Sequence, residues 1–293
     1  MEPPEIISFG EVLWDIFPDG ERFGGSPANF ACQATVQGAA VTIVSAVGND
    51  IRGQEAVAFL ERYGINVNFL QTIPDAPTGT VGIEVDSQGK PTFEIHQDSA
   101  WDRLEWDDKF DLAIKSADAV YFGTLGQRSA TARDSIRRAM SVACDAGVTR
   151  LLDINIRPPF IDGNLIRESI SNADILKLSD DELAPVCSAL GIETNKEPDA
   201  ILEKLRQSCG LDVIVMTCGA DGALAVSEHE AVRQVGIPTT VVDTVGAGDS
   251  FAATFLLGLL SKRPLDESLR IACEVAAASC AHEGAVPTKA TND

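Results

Sequence analysis

The sequence predicts an α/β fold in which a mostly parallel central sheet is covered by helices and a small second β-sheet is attached to it. Short apolar runs typical of strands alternate with helical patterns over most of the 293 residues. Such alternation favours a parallel sheet with helices on both faces. Between 66 and 97 the alternation stops, and β-rich segments follow one another without a helix. We expect these segments and one early strand to form the smaller sheet.

The first predicted elements are two short strands and a helix. Glu5–Gly10 is an apolar run closed by glycine, and Val12–Phe17 is a second strand that ends at a Pro-Asp-Gly turn signal. Ser26 suits the N-cap of the following helix, and Pro27 suits its first position. This helix should extend to about Gln37.

The remaining elements follow from hydrophobic periodicity and from turn residues. Val41–Val47 predicts a strand, and Asp50–Tyr63 predicts an amphipathic helix ended by Gly64. The β-rich segments are Val67–Ile73, Thr78–Val85 and Pro91–His96, the last two joined by a hairpin turn at 86–89. Later strands are predicted at Ala119–Phe122, Arg150–Ile154, Ile175–Leu178 and Val213–Thr217. Helices are predicted at Ala130–Ala146 and, near the end of the chain, at about Ala247–Leu260 and Leu265–His282.

Charge and composition disfavour several classes of protein. The chain has 23 basic and 44 acidic side chains and a formal net charge of −21, which disfavours binding to nucleic acid or to anionic lipid. No signal-peptide pattern and no apolar stretch long enough to span a bilayer is found. The seven scattered cysteines are typical of free thiols in a reducing compartment. We therefore expect a cytoplasmic protein, and a small anionic ligand remains compatible with its charge.

The strongest motif is Asp243-Thr-Val-Gly246-Ala247-Gly248-Asp249, directly before a helical pattern. Two glycines one residue apart allow backbone amides at a helix start to converge on one point, where the helix dipole favours an anion. An aspartate beside such a site indicates that a hydroxyl is oriented or deprotonated there for attack on a phosphate. The structural alternative is a capped helix start with a solvated Asp249.

Two further glycine clusters precede predicted functional positions. A glycine pair ending at Gly25 lies four residues before Asn29 and opens the first main helix. Thr217, Gly219 and Gly222 follow a predicted strand. Each cluster alone is also typical of a tight turn. The second lies where parallel sheets place their ligands, at the carboxyl end of a strand.

Two segments combine acidic and basic residues at predicted strand ends. Asp153, Asn155 and Arg157 should lie on one side of a strand, and a fixed guanidinium suits a phosphate or sugar oxygen. Lys177 and Glu182 flank a predicted helix start, where acidic residues are good capping chemistry. The functional alternative is a carboxylate that holds a Mg²⁺-bound water or a phosphate, with Lys177 offsetting the charge.

The absence of two nucleotide-binding motifs disfavours two classes of enzyme. The sequence contains no P-loop pattern, and no Gly-x-Gly-x-x-Gly follows its first strand, which disfavours a P-loop enzyme and a dinucleotide-dependent oxidoreductase. The three histidines are far apart and lack metal-ligand spacing.

Together these motifs resemble the ribokinase-like (PfkB) family of carbohydrate kinases, and within it the bacterial fructokinases. The two family signatures correspond to Asp243–Asp249 and Gly24–Asn29. The likeness to fructokinases rests on Gly10–Asp15, Thr78–Val81, Ala100–Asp102, Asp153–Arg157 and Lys177–Glu182. The resemblance implies a single three-layer α/β kinase domain over residues 1–293, with a β-sheet lid formed by about 11–24 and 66–105. In this family the lid is often also a dimer interface, so a homodimer is expected.

The resemblance also implies roles for individual residues. Asp249 would be the catalytic base for a sugar hydroxyl, and the amides of Gly246, Ala247 and Gly248 would form the anion hole. The residues implied in sugar binding are Asp15, Gly25 and Asn29, with Arg157 near the sugar or the phosphate. The residues implied at the ATP site are Lys177, Ser179, Thr217, Gly219 and Gly222, with Glu182 organising Mg²⁺ through water or phosphate.

Many members of this family bind a monovalent cation such as K⁺ beside the anion hole. Here the implied ligands are Asp243, Val245, Ser279, His282, Gly284 and Thr288. One departure from the family pattern is Ser179, which stands where the family's Asn-x-x-Glu motif usually has asparagine. Fructokinase-like members can carry Ser-Asp-x-Glu at this position.

The leading functional expectation is an ATP- and Mg²⁺-dependent fructokinase that forms fructose 6-phosphate. The alternatives are a kinase of the same family for ribose, 2-keto-3-deoxygluconate or a nucleoside, and a non-catalytic sugar-binding regulator on the same fold. The sugar pocket is assembled from side chains far apart in the sequence, so its motifs do not decide among acceptors.

Overall fold

A nine-stranded, mostly parallel sheet forms the centre of the computed structural model, which describes residues 2–85 and 91–286. Its strands, in spatial order, are β13 (Ala231–Val235), β12 (Gly222–Ser227), β11 (Val213–Thr217), β10 (Ile175–Ser179), β9 (Thr149–Asp153), β8 (Ala119–Gly123), β1 (Glu5–Phe9), β4 (Ala40–Gly48) and β5 (Asn66–Ile73). The strands from β11 to β5 pair in parallel, and β12 and β13 extend the sheet antiparallel at one edge.

Helices cover both faces of this sheet. They are α1 (Ser26–Val36), α2 (Ile51–Tyr63), α3 (Lys109–Ser116), α4 (Ala130–Ala146), α5 (Gly163–Ile170), α6 (Asp180–Leu190), α7 (Pro198–Cys209), α8 (Ala247–Leu260) and α9 (Leu265–Ser279). Ile6 packs in one apolar cluster with Phe30 of α1 and Phe255 of α8, whereas its neighbour Ile7 packs in a second cluster with Phe110 of α3. Since successive side chains of a strand point to opposite faces, the sheet has a core on each side. The three-layer α/β prediction is confirmed.

Local sequence signals explain several helix ends. Asp50 accepts a hydrogen bond from the amide of Gly53 at the start of α2, and Gly64 closes that helix with a φ of 81°, as predicted. At α1 the predicted cap is displaced by one residue. Gly25 occupies the N-cap position with a φ of 103°, and Ser26 is already helical. The Ser26 hydroxyl is instead bonded to Asp249, a partner that is distant in sequence.

A smaller four-stranded sheet, which we call the lid, consists of β3 (Gly20–Gly24), β2 (Leu13–Phe17), β6 (Gly79–Val85) and β7 (Pro91–Ile95) in spatial order. The early strand and the two later segments therefore pair as expected, β2 with β6 in parallel and β6 with β7 antiparallel. The hairpin turn predicted at 86–89 lies outside the described residues.

Assigning Asn66–Ile73 to the lid was wrong. This segment is β5, the edge strand of the main sheet, where it pairs in parallel with β4. The helix α2 connects β4 to β5, which makes a β-α-β unit of the kind that builds parallel sheets. Residues 100–103 were also assigned to the lid, but they form a short 3₁₀ helix in which Trp101 is buried. The sequence does not show that β5 belongs to the main sheet and β6 to the lid, because no helix separates these two strands.

Two other boundaries differ from the sequence prediction. The strand β9 ends at Asp153 because Asn155 adopts a φ of 40°, so Asp153, Asn155 and Arg157 do not continue along one side of a strand. The helix α9 ends at Ser279, short of His282. Within the described part of the chain, every helix is too short or too polar to traverse a bilayer.

Candidate active site

The candidate site lies at the carboxyl ends of the parallel strands, beside the first strand of the sheet. The strand β1 has β4 on one side and β8 on the other, so the chain order reverses there, and open α/β sheets place ligands at such a switch point. Glu11 follows β1, Asp153 ends β9, and Thr217 ends β11. The amino terminus of α8 brings Asp249 to the same region.

Asp249 is held by two hydrogen bonds from α1. The Ser26 hydroxyl donates to Oδ1 over 2.6 Å, and the Asn29 amide donates to Oδ2 over 3.0 Å. Burial and the nearby Asp153 raise the pKa of Asp249 to about 6, whereas Ser26, Lys177 and Asn29 favour the ionised form. A carboxyl with this pKa is largely ionised at neutral pH and can accept a proton.

The start of α8 is shaped by a close approach of two loops. Gly246 has a φ of 77°, and a Cβ at this position would lie 2.6 Å from the backbone of Ala285. Asp243 joins the same two loops, since its Oδ1 accepts from the Val245 amide and its Oδ2 from the Gly284 amide, each over 3.0 Å. These contacts fix the turn before α8. In this turn the Ala247 amide donates to the Thr244 carbonyl over 3.3 Å, and the following first-turn amides have no partner within the helix.

A chain of buried polar groups connects Asp249 to a lysine. Lys177 donates to Oδ2 of Asp153 over 2.7 Å, and the Tyr121 hydroxyl donates to the same oxygen over 3.4 Å. The Tyr121 and Ser26 hydroxyls lie 2.9 Å apart. Burial acts against the charge of Lys177, but Asp153 and Glu182 hold its pKa above the ordinary value. The network therefore places a buried cation near the start of α8, where a Cβ on Gly248 would lie 3.2 Å from Nζ.

The predicted sugar-binding residues surround this centre. Asp15 belongs to the lid strand β2, and a Cβ on Gly24 would lie 2.5 Å from its Oδ2. Burial raises the pKa of Asp15 to about 6, against the attraction of Arg157 and Arg22. Arg157 is exposed, and its charge also acts on Glu11 and Asp153. Asp15 therefore lies beside the glycine pair at 24–25 and senses the charge of Arg157, while Asn29 contacts Asp249.

Part of the predicted ATP site lines a cleft of about 540 Å³. Thr217, Gly219 and Gly222 line it together with Ala247 and Gly248 of the anion-hole motif. Apolar residues complete the lining, among them Ile237, Pro238, Val241 and Phe251. The cleft thus adjoins the start of α8 and has an apolar wall suited to a nucleobase.

Lys177, Ser179 and Glu182 are not among the residues that line this cleft. Ser179 and Glu182 form a reciprocal cap at the start of α6, in which the Ser179 amide donates to Oε2 of Glu182 over 2.8 Å. The Ile156 amide donates to the other oxygen over 2.6 Å. The capping role considered for Glu182 is therefore present. Each carboxylate oxygen can accept more than one hydrogen bond, so these bonds leave room for a Mg²⁺-bound water.

Of the predicted cation ligands, Asp243, Val245, His282 and Gly284 lie in the two loops near Gly246, and Ser279 is the last residue of α9. Thr288 is outside the described residues. The Ser279 carbonyl accepts from the His282 amide over 3.2 Å, and His282 is exposed. Asp243 uses both oxygens in the loop contacts described above. In residues 2–85 and 91–286, no group of three or more His, Cys, Asp or Glu side chains is placed to hold a metal ion. The monovalent cation site stays a prediction.

Three residues of the site were not identified from the sequence. Ser26 was interpreted as a helix cap, Tyr121 lies in the strand β8 without a local signal, and Glu11 was noted only as part of a motif. For Glu11 a signal existed, since a single acidic residue directly after a buried first strand stands at the switch point. Nothing in the sequence near Tyr121 indicates that its hydroxyl faces Asp153.

Fold and site together have the features expected of a phosphotransferase: a buried carboxyl lies in the first turn of a helix whose start can bind phosphate, and a cleft large enough for a nucleotide adjoins that start. Residues 6–292 match the model of the pfkB family of carbohydrate kinases. The chain belongs to this family.

Sequence relatives and solved structures agree with this assignment. The chain is 29% identical to the Arabidopsis thaliana protein named probable fructokinase-5, over 98% of this chain and 95% of the relative. It is 27% identical to an ATP-dependent 6-phosphofructokinase of Thermoanaerobacterium thermosaccharolyticum, over 96% and 89%. The fold matches that of a Xylella fastidiosa fructokinase with bound ATP, with a TM-score of 0.86, 23% identity and coverage of 97% and 95%. It also matches a Salmonella enterica aminoimidazole riboside kinase, with a TM-score of 0.78, 21% identity and coverage of 96% and 95%.

Proposed function

We propose that this chain is an ATP- and Mg²⁺-dependent fructokinase that phosphorylates the 6-hydroxyl of D-fructose. The proposal rests on the position of Asp249. This carboxyl is held by Ser26 and Asn29 at the start of α8, where Ala247 and Gly248 line the adjoining cleft. Relatives named fructokinase support the choice of sugar.

The reaction follows from this placement. Asp249 accepts the proton of the sugar 6-hydroxyl while the oxygen of that hydroxyl forms a bond with the γ-phosphorus of ATP. The bond between the γ-phosphorus and the oxygen that bridges it to the β-phosphate breaks, and ADP is released. The amides of Gly246, Ala247 and Gly248 and the Lys177 ammonium stabilise the negative charge on the transferred group. When bound, Mg²⁺ would neutralise phosphate charge, and Glu182 would hold it through water. Closure of the lid would exclude water as a competing acceptor.

The charge of the site favours an uncharged acceptor. Glu11, Asp15 and Asp249 all have raised pKa values because they are buried. Arg157 acts on the first two and Lys177 on the third. A sugar phosphate or sugar acid would add a further negative charge among these carboxyls, and like charges repel more strongly in a buried site. A neutral hexose fits this surrounding better than fructose 6-phosphate or 2-keto-3-deoxygluconate.

An acceptor panel tests the proposal. ADP release from Mg·ATP should be measured with D-fructose, ribose, 2-keto-3-deoxygluconate, adenosine, fructose 6-phosphate and no acceptor. We expect fructose to give a kcat/KM at least tenfold above every other compound, with little turnover in its absence. A higher kcat/KM for another acceptor would overturn the fructose assignment but keep the kinase. Absence of turnover with all of them would favour the non-catalytic regulator.

The raised carboxyl pKa values predict opposite effects of acid on activity and stability. Below about pH 6, Asp249 becomes protonated and cannot accept the hydroxyl proton, so kcat/KM should fall. The folded chain then holds protons that the unfolded chain, with ordinary carboxyl pKa values near 4, does not. Unfolding free energy should therefore rise as the pH falls from 7.5 to about 5.5.

Initial rates and the Tm across pH 5 to 8 check this expectation. The Asp249→Asn variant has one such carboxyl fewer and should show a smaller rise in Tm towards acid. A kcat/KM that stays constant down to pH 5, or a Tm that falls steadily from pH 7.5 to 5.5, would contradict the prediction.

Dimerisation through the lid, a requirement for K⁺ and a cytoplasmic location remain predictions from the family resemblance and the composition.

A further inference from the structure

Glu11 is a buried carboxyl that the phosphoryl-transfer scheme leaves without a role. It follows β1 at the switch point and is 3% exposed. Its Oε2 has no hydrogen-bond partner among the residues that the structure describes. Because a buried polar atom without a partner costs free energy, such atoms usually have a function or a ligand that completes them.

Two glycines border the Glu11 side chain. A Cβ on Gly126 would lie 3.6 Å from Oε2, and a Cβ on Gly25 would lie 3.5 Å from Cγ. Gly126 belongs to the short 3₁₀ helix Leu125–Gln127 after β8, and Gly25 directly precedes Ser26. The carboxyl therefore lies beside the segment that positions Asp249, and Oε2 is directed towards the end of β8.

The electrostatic surroundings place Glu11 in the acceptor region. Burial and the nearby Asp249 raise the pKa of Glu11 to about 7, against backbone hydrogen bonds to its carboxyl and the charge of Arg157, which lower it. Asp249 is the proposed base, and Arg157 also acts on Asp15 in the lid. A carboxyl with this pKa can both donate and accept a hydrogen bond at neutral pH, which suits a sugar hydroxyl.

We propose that Glu11 binds the acceptor: its Oε2 forms a hydrogen bond with a second sugar hydroxyl, other than the one that Asp249 deprotonates. The unpartnered oxygen, the two bordering glycines and the proximity to Asp249 all support this role. This contact fixes which hydroxyl of the sugar faces the base. The inference rests on one part of the proposed function, namely that the acceptor is a compound with several hydroxyl groups.

Two substitutions at Glu11 test the contact. Glu11→Met has a similar volume but no hydrogen-bonding carboxyl, whereas Glu11→Gln keeps the hydrogen-bonding oxygen. We expect Glu11→Met to raise the KM for the acceptor roughly ten- to a hundredfold, with the KM for ATP within twofold. Glu11→Gln should stay within about threefold of the parent for both. Glu5→Ala, at an exposed glutamate of β1, the strand that precedes Glu11, serves as the control and should change neither constant.

Deoxysugars identify the hydroxyl and separate binding from a structural role. With the parent enzyme, one deoxy analogue should have a kcat/KM below that of the full acceptor by about the factor that Glu11→Met causes with the full acceptor. With Glu11→Met, the kcat/KM for that analogue should be only slightly below its kcat/KM for the full acceptor. A folded Glu11→Met with unchanged acceptor KM would overturn the proposal, as would Glu11→Gln losing as much as Glu11→Met. If Glu11→Met does not fold, Glu11→Ala takes its place in the deoxy panel, and the same discrimination among analogues as in the parent overturns the contact.

These measurements use whichever compound of the acceptor panel has the highest kcat/KM. A sugar other than fructose would therefore overturn the proposed substrate while leaving the Glu11 contact open to the same test. If no compound of the panel binds or turns over, both proposals fail.

Discussion

Replacing Asp249 by asparagine is expected to lower kcat by about 10²–10⁴-fold, the usual contribution of a positioned general base. Asparagine keeps the size of the side chain and can still bond with Ser26 and Asn29, but it cannot accept the hydroxyl proton. Affinity for ATP should change by less than about threefold, because Asp249 is not among the residues that line the cleft.

The same substitution should not destabilise the fold. Burial raises the pKa of Asp249 to about 6, so its ionised form is less favourable in the folded chain than in the unfolded chain at neutral pH. Removal of that charge should leave the Tm at pH 7.5 unchanged or higher. Loss of activity together with an undiminished Tm would separate catalysis from folding.

Initial rates, ATP titration calorimetry and a thermal scan measure these three quantities. Asp266→Asn is the matched control, because Asp266 is an exposed aspartate in the first turn of the next helix, and it should retain full activity. Near-parent turnover by Asp249→Asn would remove Asp249 as the base.

Lys177→Met is expected to lower the free energy of unfolding by about 3–5 kcal/mol, because it leaves Asp153 as a buried charge without its cation. The side chains of Lys177 and Asp153 are 8% and 2% exposed and lie 2.7 Å apart. Replacement of both, as Asp153→Leu with Lys177→Met, should recover at least half of that loss, since an apolar pair can substitute for a buried ion pair. Turnover should stay low in both variants, because each lacks the ammonium near Gly248.

Urea unfolding and initial rates on the two single variants and the double variant test this coupling. Arg270→Met breaks the ion pair with Glu274 on α9, whose partners are 47% and 45% exposed, and should cost less than about 1 kcal/mol. A Lys177→Met variant as stable as the Arg270→Met control would contradict the buried-pair interpretation. Full activity in the double variant would show that Lys177 has no role in transfer.

Signals that act within one helix predicted its ends correctly, whereas contacts between distant elements left no signal in the sequence. Helix α2 was predicted at both ends because its cap, Asp50, and its terminating Gly64 bond within the helix itself. The lid was only partly predicted, because β5 looks like the strands that follow it and its membership of the main sheet depends on pairing with β4. Ser26 was assigned to a cap because its true partner lies 223 residues away.

Periodicity, capping and glycine turns act between residues close in the chain, and from them alone follow the α/β class, the parallel sheet and a glycine-rich helix start at 246–249. The surroundings of Asp249, the burial of Lys177 against Asp153 and an Oε2 of Glu11 without a partner among the described residues arise only when the chain folds. Each of these depends on side chains from separate strands and helices that meet at the carboxyl edge of the sheet. Burial then raises the pKa values of Asp249 and Glu11, because desolvation depends on everything packed around a group and not on its neighbours in sequence.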